Sequence, residues 1–139
     1  MALAGLLQQS AIIPAMKANS KKQLLQELAT KAAKITGIPE REIFDVILQR
    51  ERLGSTGVGN GIAIPHGKLK ELPQITGLFA RLETPVDFEA LDDQPVDLVF
   101  LLLAPEGAGA DHLKALSRIA RVLRDPAMVA KLRASDSES

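Results

Sequence analysis

One histidine of this chain stands where a glycine-rich stretch meets a short apolar run. The chain contains two histidines, and His66 follows the stretch Gly57–Gly61 and the apolar segment Ile62–Pro65. Glycines allow positive φ angles and a close approach of backbone to a ligand, and the isoleucines are typical of a buried strand. Because the ordinary histidine pKa is about 6.5, a neutral, nucleophilic imidazole is available near pH 7. The pattern favours a reactive histidine at a bend that ends the strand, although residue type alone fits a structural histidine equally well.

An arginine at the end of the preceding helix is a second candidate. It follows three apolar residues on the same predicted helical face, Ile43, Val46 and Ile47. Arg50 must therefore extend its charge to solvent or meet an anion. It could instead complement the negative end of the helix dipole or pair with Glu51 or Asp45. Because the helix ends a short loop before His66, and a guanidinium can donate two parallel hydrogen bonds to phosphoryl oxygens, we expect Arg50 to reach the imidazole.

The second histidine lies where a later helix begins. His112 follows Asp111, which is predicted to cap that helix, so it falls in the first turn. Unpaired backbone amides and the positive end of the helix dipole favour an anion there. Taken alone, however, His112 is better explained as an exposed residue without a partner.

The segment from Arg50 to Gly67, RERLGSTGVGNGIAIPHG, resembles a known family. It is similar to the sequence around the phosphorylated histidine of type-2 EIIA domains of the bacterial phosphoenolpyruvate-dependent phosphotransferase system, the fructose and mannitol class. Within that class it is most similar to the nitrogen-regulatory EIIA. The resemblance extends from the first long helix to Asp111–Leu116 and so covers nearly the whole chain. It implies that His66 is the phosphoryl acceptor, His112 the second active-site histidine and Arg50 the arginine that faces the phosphoryl group.

The resemblance also implies a mechanism and partners. A histidine-containing phosphocarrier protein, charged by an enzyme I from phosphoenolpyruvate, would donate the phosphoryl group to His66. No metal or nucleotide cofactor is expected, because the group arrives already activated on nitrogen. In the nitrogen-regulatory branch the phosphorylation state controls targets such as sensor kinases or potassium transport proteins. The alternatives are a sugar-transport EIIA that passes phosphate to an EIIB domain of a fructose-type permease, and a glycine loop that only binds a small anion.

The loop before His66 is expected to shape the site. Four of its residues are predicted to bind phosphoryl oxygens or to position the loop: Thr56, Gly59, Asn60 and Gly61. The G-x-G-x-G spacing does not match a dinucleotide fingerprint or a P-loop, because a strand follows it and Gly-Lys-Ser/Thr is missing. Lys68 is interpreted as a solvated flank rather than a phosphate neighbour. The histidines and carboxylates show no recognisable metal-ligand spacing.

Composition limits the classes of protein that remain. With 17 basic and 17 acidic residues the formal net charge is zero, which gives no electrostatic footprint for nucleic acid. The absence of cysteine excludes disulfides and thiolate metal sites. The longest apolar stretch, Val96–Pro105, contains Asp97 and is far shorter than the roughly 20 residues of a membrane helix, and the first residues do not resemble a signal peptide. We expect a cytoplasmic protein without membrane insertion.

The order of predicted elements is that of an α/β domain. Predicted helices are Leu3–Gln8, a helix from Ser20 to Gly37, Pro39 to Gly54, a helix with Leu113, Leu116, Ala120 and Leu123 inside, and Pro126 to Arg133. Ser20 and Gln23 predict a capping box, and the buried face of the first long helix is Leu24, Leu25, Leu28, Ala32 and Ile35. Predicted strands are Ala11–Ile13, Ile62–Ile64, Gln74–Glu83 and Val96–Ala104, with an optional edge strand at 84–88. We expect one domain over residues 1–139, with a disordered tail at 134–139. Its central mixed sheet of about four to five strands is flanked by helices on both faces.

Overall fold

The computed structural model describes residues 11–90, 92–107 and 110–134. At residues 11, 12, 14 and 15, and at 110–112, only the backbone is described. The helix predicted at Leu3–Gln8 and residues 135–139 of the predicted tail lie outside the described residues.

The described chain forms an α/β fold. Its elements, in order, are β1 (Ala11–Met16), α1 (Lys21–Thr36), α2 (Glu40–Leu53), β2 (Gly57–Gly59), β3 (Ile62–Ala63), β4 (His66–Leu69), β5 (Thr76–Val86), β6 (Val96–Pro105), α3 (Ala110–Val122) and α4 (Pro126–Ala134). Within the described ranges, no helix is long and apolar enough to span a membrane.

The strands form one mixed sheet in the order β1-β5-β6-β3-β2, with β4 also paired to β6. Strands β3 and β4 lie end to end along one side of β6, since Ile62 is opposite Leu98 and His66 is opposite Leu102, both in parallel pairing. The six strand segments therefore make a sheet five strands wide. The predicted fold class, a mixed sheet of this size with helices on both faces, is confirmed.

Strand β6 is the centre of the molecule. Its residues alternate between two cores, one under α1 and α2 and the other under α3 and α4. Val99, Leu101 and Leu103 belong to the first core, and Leu98, Phe100 and Leu102 to the second. This two-sided burial explains the continuous apolar run, which is typical of a strand covered on both faces.

The ends of the first two helices follow their local sequence signals. The Gln23 N–H donates to Ser20 Oγ at 3.1 Å, as the predicted capping box requires. Gln23 Oε1 accepts from the Asn19 N–H at 2.6 Å, one residue before the Ser20 N–H that a capping box would use. Gly37 ends α1 in the left-handed conformation at φ +76°. Gly54 follows the last residue of α2, as predicted.

The predicted end of β5 is wrong. The strand was expected to stop at Glu83 because Pro85 follows, but it continues to Val86, and 84–88 is not a separate edge strand. The pairing shifts register between Arg81, opposite Leu98, and Val86, opposite Val96. Pro85 falls inside this irregular stretch, where a residue without an N–H is tolerated.

Two predicted core residues are exposed. Ile35 is 41% and Leu113 67% accessible. Helix α3 instead buries Ala115 and Ile119, with Leu116 and Ala120 only partly covered, and Leu123 is buried directly after the helix. The apolar arc of each helix is wider than the face that the sheet covers, so hydrophobic spacing alone did not determine which edge of the arc is buried.

Candidate functional site

His66 is held through both its backbone and its ring. The sequence predicted a bend at His66, after the strand. In the structure His66 instead begins β4, where it lies opposite Leu102 of β6. The Leu102 N–H donates to the Pro65 carbonyl at 3.0 Å. Ring Nδ1 lies 2.9 Å from the Ile64 carbonyl oxygen. Because a carbonyl can only accept, this contact requires the proton on Nδ1, and the neutral ring then has its lone pair on Nε2.

Arg50 reaches the imidazole from the last turn of α2. Its Nε donates to His66 Nε2 at 3.2 Å, and its Nη1 donates to the Gly54 carbonyl at 2.9 Å. The guanidinium therefore satisfies a carbonyl at the helix end and also contacts the imidazole, so two of the interpretations considered from the sequence hold together. Across the described residues, Arg50 forms no ion pair with Glu51 or Asp45.

The surroundings of His66 favour the neutral ring. Burial lowers the pKa of His66 below its ordinary value, and the Arg50 charge lowers it further, while the hydrogen bond to the Ile64 carbonyl and the Glu51 charge oppose the shift. The imidazole is therefore neutral at neutral pH. With Nδ1 protonated, the nucleophilic nitrogen is Nε2, on the side of the ring that faces Arg50.

Gly67 allows α2 to approach β4 closely enough for this contact. A Cβ atom at Gly67 would lie 2.4 Å from Val46 Cγ1 and 3.8 Å from Ile47 Cγ2. Val46 is one helical turn before Arg50, so the same packing places the arginine over His66. The sequence signal for this packing is the missing side chain at Gly67, directly after His66.

A shallow groove of about 380 Å³ opens beside the two side chains. It is lined by Val46, Gln49, Arg50, Leu53, His66, Gly67 and Lys68. Leu53 is 86% accessible and forms an apolar rim. Lys68 also lines the groove and is exposed.

Thr56 is hydrogen-bonded to the buried carboxylate of Glu51, which was not among the site residues predicted from the sequence. Its N–H donates to Glu51 Oε1 at 3.1 Å, and its hydroxyl donates to Glu51 Oε2. The Lys21 ammonium lies 3.1 Å from the same Oε1 atom. Of the two roles predicted for Thr56, these contacts support positioning of the loop.

The other three loop residues lie away from His66. Gly59 ends β2, and Asn60 and Gly61 form the turn to β3. Asn60 has φ +57°, and its N–H donates to Asp92 Oδ2 at 2.9 Å. Ile62 follows the turn and is opposite Leu98 of β6, whereas His66 is opposite Leu102. The two positions are therefore four residues of β6 apart, about 13 Å at the usual rise of a strand. The structure therefore does not bring these residues to the imidazole, and their contacts support a role in shaping the turn.

This turn is attached to the C-terminal helix. Arg133 of α4 donates to both carboxylate oxygens of Asp97 and to the Asn60 carbonyl. Gly61 has φ +80°, and a Cβ atom there would lie 2.5 Å from Arg133 Nη2. The left-handed backbone at Gly61 and the close Arg133 and Asp97 side chains together favour glycine at this position.

His112 and Asp111 both lie in the first turn of α3, which begins at Ala110. Their side chains are outside the described part of the structure. The predicted N-cap position of Asp111 is wrong, because the helix begins one residue earlier, at Ala110. The expected contribution of His112 to the site remains a prediction. Among the described residues, no group of three or more histidine and acidic side chains is arranged to hold a metal ion.

The sequence is similar to known phosphotransferase proteins. Residues 5–139 match the family described as phosphoenolpyruvate-dependent sugar phosphotransferase system, EIIA 2. The chain is 67% identical over 135 residues to the nitrogen regulatory protein of Bradyrhizobium diazoefficiens, which covers 97% of this chain and 88% of that protein. It is 36% identical over 139 residues to the fructose-specific EIIABC component of Bacillus subtilis, which covers 99% of this chain and 22% of that protein.

The fold is similar to that of solved members as well. The crystal structure of the nitrogen regulatory protein IIA-Ntr from Neisseria meningitidis matches with a TM-score of 0.87 and 36% sequence identity, over 94% of this chain and 88% of that chain. These findings agree with the resemblance found around His66: the family match, the identity to the Bradyrhizobium diazoefficiens protein and the shared fold. The chain belongs to the EIIA 2 family of the phosphoenolpyruvate-dependent sugar phosphotransferase system.

Proposed function

We propose that this protein is a regulatory phosphocarrier of the phosphotransferase system that accepts a phosphoryl group on His66. One observation carries the proposal. The ring has its proton on Nδ1, bound to the Ile64 carbonyl, and presents Nε2 to the Arg50 guanidinium beside an open groove. A neutral nitrogen lone pair next to a fixed cation is the arrangement that attack on a phosphoryl group requires.

The proposed step is a direct transfer between two nitrogens. His66 Nε2 attacks the phosphorus in line with the bond to the donor histidine; the new N–P bond forms as the old one breaks, and its electron pair stays on the donor nitrogen. The Arg50 Nε–H bonds the Nε2 lone pair before transfer, so the guanidinium must move from that nitrogen to the phosphoryl oxygens. The proton on Nδ1 remains with the Ile64 carbonyl. Catalysis of this kind depends on positioning and on fixed positive charge.

The family and the relatives support a proposal for the partners. The donor is a histidine-containing phosphocarrier protein, and the targets are regulatory proteins such as sensor kinases or potassium transport proteins in the cytoplasm. Residues 1–139 act as one EIIA domain, with His112 as a second active-site histidine. The 67% identity to a nitrogen regulatory protein favours this role over transfer to an EIIB domain of a fructose-type permease, since the fructose-specific relative is only 36% identical.

Phosphorylation in a purified system tests the acceptor. Incubation with phosphoenolpyruvate, an enzyme I and a phosphocarrier protein should add one phosphoryl group that acid removes and base preserves, as for a phosphoramidate. His66→Ala should gain none, whereas His112→Ala should still be labelled. Label that persists in His66→Ala would assign the acceptor to another residue and contradict the proposal.

A further inference from the structure

The carboxylate of Glu51 is buried next to the site. Its side chain is 3% exposed, and three donors surround it: the Lys21 ammonium, the Thr56 N–H and the Thr56 hydroxyl. The Lys21 ammonium also lies 4.6 Å from the centre of the Phe88 ring. A buried carboxylate is tolerated only when it is paired and hydrogen-bonded in this way. Its position is therefore closely defined by the residues around it.

Two routes connect this carboxylate to His66. Along the loop, Glu51 holds Thr56, the Thr56 carbonyl accepts the Ile64 N–H at 3.0 Å, and the Ile64 carbonyl accepts His66 Nδ1–H at 2.9 Å. Along the helix, Glu51 directly follows Arg50, which contacts His66 Nε2. The same carboxylate thus restrains the acceptor of one ring nitrogen and the residue that donates to the other.

From this arrangement we infer that Glu51 and Thr56 are positioning residues: their contact holds the Ile64 carbonyl and Arg50 on opposite sides of the imidazole, which keeps the proton on Nδ1 and leaves Nε2 for phosphoryl transfer. The inference rests on the proposed function for its effect on the rate. Its effect on the ring is independent of any phosphorylation.

Thr56→Val tests the contact with little change in volume. The variant loses the hydroxyl that donates to Glu51, and Thr56→Ser retains it. Ser55→Ala is the matched control, because Ser55 Oγ bonds the Phe88 carbonyl and the Gly57 N–H in the same loop but does not contact Glu51. Glu51→Gln is a second variant that keeps the shape of the side chain and removes its charge.

The tautomer of His66 is the decisive measurement. Nitrogen-15 NMR of the ring at about pH 8, above the ordinary histidine pKa, should show Nδ1–H alone in the wild type and in Ser55→Ala. Thr56→Val and Glu51→Gln should show a mixture with Nε2–H. Their phosphoryl transfer should slow by about tenfold to a hundredfold, since a displacement near 1 Å can cost about a hundredfold, and Thr56→Ser should restore most of the rate.

The outcomes separate this inference from the proposed function. A folded Thr56→Val and a folded Glu51→Gln that both keep the wild-type tautomer and rate would overturn the positioning role, even if they lose thermal stability. A wild type that is never phosphorylated would contradict the proposed function, while the NMR result would still decide whether the contact positions the ring. Circular dichroism of each variant establishes that it is folded before either result is used.

Discussion

At the scale of single residues, the proton on the imidazole determines which nitrogen reacts. The Ile64 carbonyl accepts from Nδ1, and the Arg50 guanidinium donates to Nε2. Arg50 has two effects to separate: its charge lowers the pKa of the ring, and in the proposed function it supplies a donor for the phosphoryl oxygens. Substitutions that separate the donor from the charge can distinguish these effects.

Arg50→Ala should slow phosphoryl transfer on the order of a hundredfold, the usual cost of removing one donor from a transition state. Its pH profile should also change. The Arg50 charge lowers the pKa of His66, so its removal raises that pKa and moves the acidic decline of the rate to higher pH. Arg50→Lys keeps the charge but not the planar fork, so it should retain the wild-type acidic decline while recovering only part of the rate. Initial rates of labelling between about pH 5 and 8 measure the transfer rate and the pH of its acidic decline. Equal rates in Arg50→Ala and wild type would show that Arg50 acts only as a cation at the end of the helix.

The lowered pKa of His66 also makes the free energy of unfolding depend on pH. Between the folded pKa and the unfolded value of about 6.5, the unfolded chain binds more protons than the folded chain, so the free energy of unfolding rises with pH across that interval. The contribution of this ring is therefore complete above about pH 6.5 and is lost as the pH falls toward the folded pKa. Urea unfolding of wild type and His66→Gln across this interval should show the extra pH dependence in the wild type only.

At the scale of elements, the packing of α2 on β4 brings the two side chains together. Gly67 is the contact point, since a Cβ there would overlap Val46 Cγ1 at 2.4 Å. Helix α2 ends at Leu53 and β4 begins at His66, so a displacement of the helix moves Arg50 relative to the ring. The separation of Arg50 and His66 is thus a property of two packed elements rather than of the loop between them.

Gly67→Ala should displace α2 and lower both stability and transfer rate. Overpacking of this kind costs about 1–3 kcal/mol in free energy of unfolding, and the displaced arginine should slow the transfer. Adding Val46→Ala removes the overlapping methyl group and should restore the rate toward that of Val46→Ala alone. Thermal unfolding and labelling rates measure the two effects.

Gly107→Ala is the control for this pair, because nothing lies within 4 Å of a Cβ at that position. It should leave the labelling rate unchanged. If Gly67→Ala transfers phosphate as fast as the wild type, close packing at Gly67 is not what positions Arg50.

At the scale of the whole molecule, the proposed phosphorylation of His66 would change the charge of one small surface. A phosphoryl group adds about 1.5 to 2 negative charges to a groove that carries Arg50, Lys68 and the exposed apolar side chain of Leu53. A target that buries this surface without supplying cations should bind the unphosphorylated form more tightly. A sugar-transport partner must instead dock while the group is present, because it receives the group.

Immobilised wild type, His66→Glu and His66→Gln should distinguish these two uses. A regulatory target such as a sensor kinase or a potassium transport protein should be retained from a lysate of the source cell by the wild type and by the neutral His66→Gln, and lost with the charged His66→Glu. Mass spectrometry identifies the retained proteins. Rapid loss of phosphate from labelled wild type to a membrane fraction, together with phosphorylation of added fructose, would favour the transport role instead.

The local sequence was sufficient for the helices of the first half and for the reactive residue types. The Ser20 cap, the left-handed Gly37 and the stop at Gly54 depend on a few neighbouring residues, and the run through β6 records burial on both faces. The contact of Arg50 with His66 was also predicted from the sequence, although the packing of α2 on β4 sets it.

Only the tertiary structure decided where the remaining site residues act. Strand β4 forms because it pairs with β6, although its own residues show little strand pattern. The burial of Glu51 depends on Lys21, thirty residues earlier in the chain. The turn at Asn60 is held by Arg133 from α4 instead of serving His66. Such contacts join residues far apart in the chain, and their energies depend on which surfaces pack together, so local patterns of residue type carry little information about them.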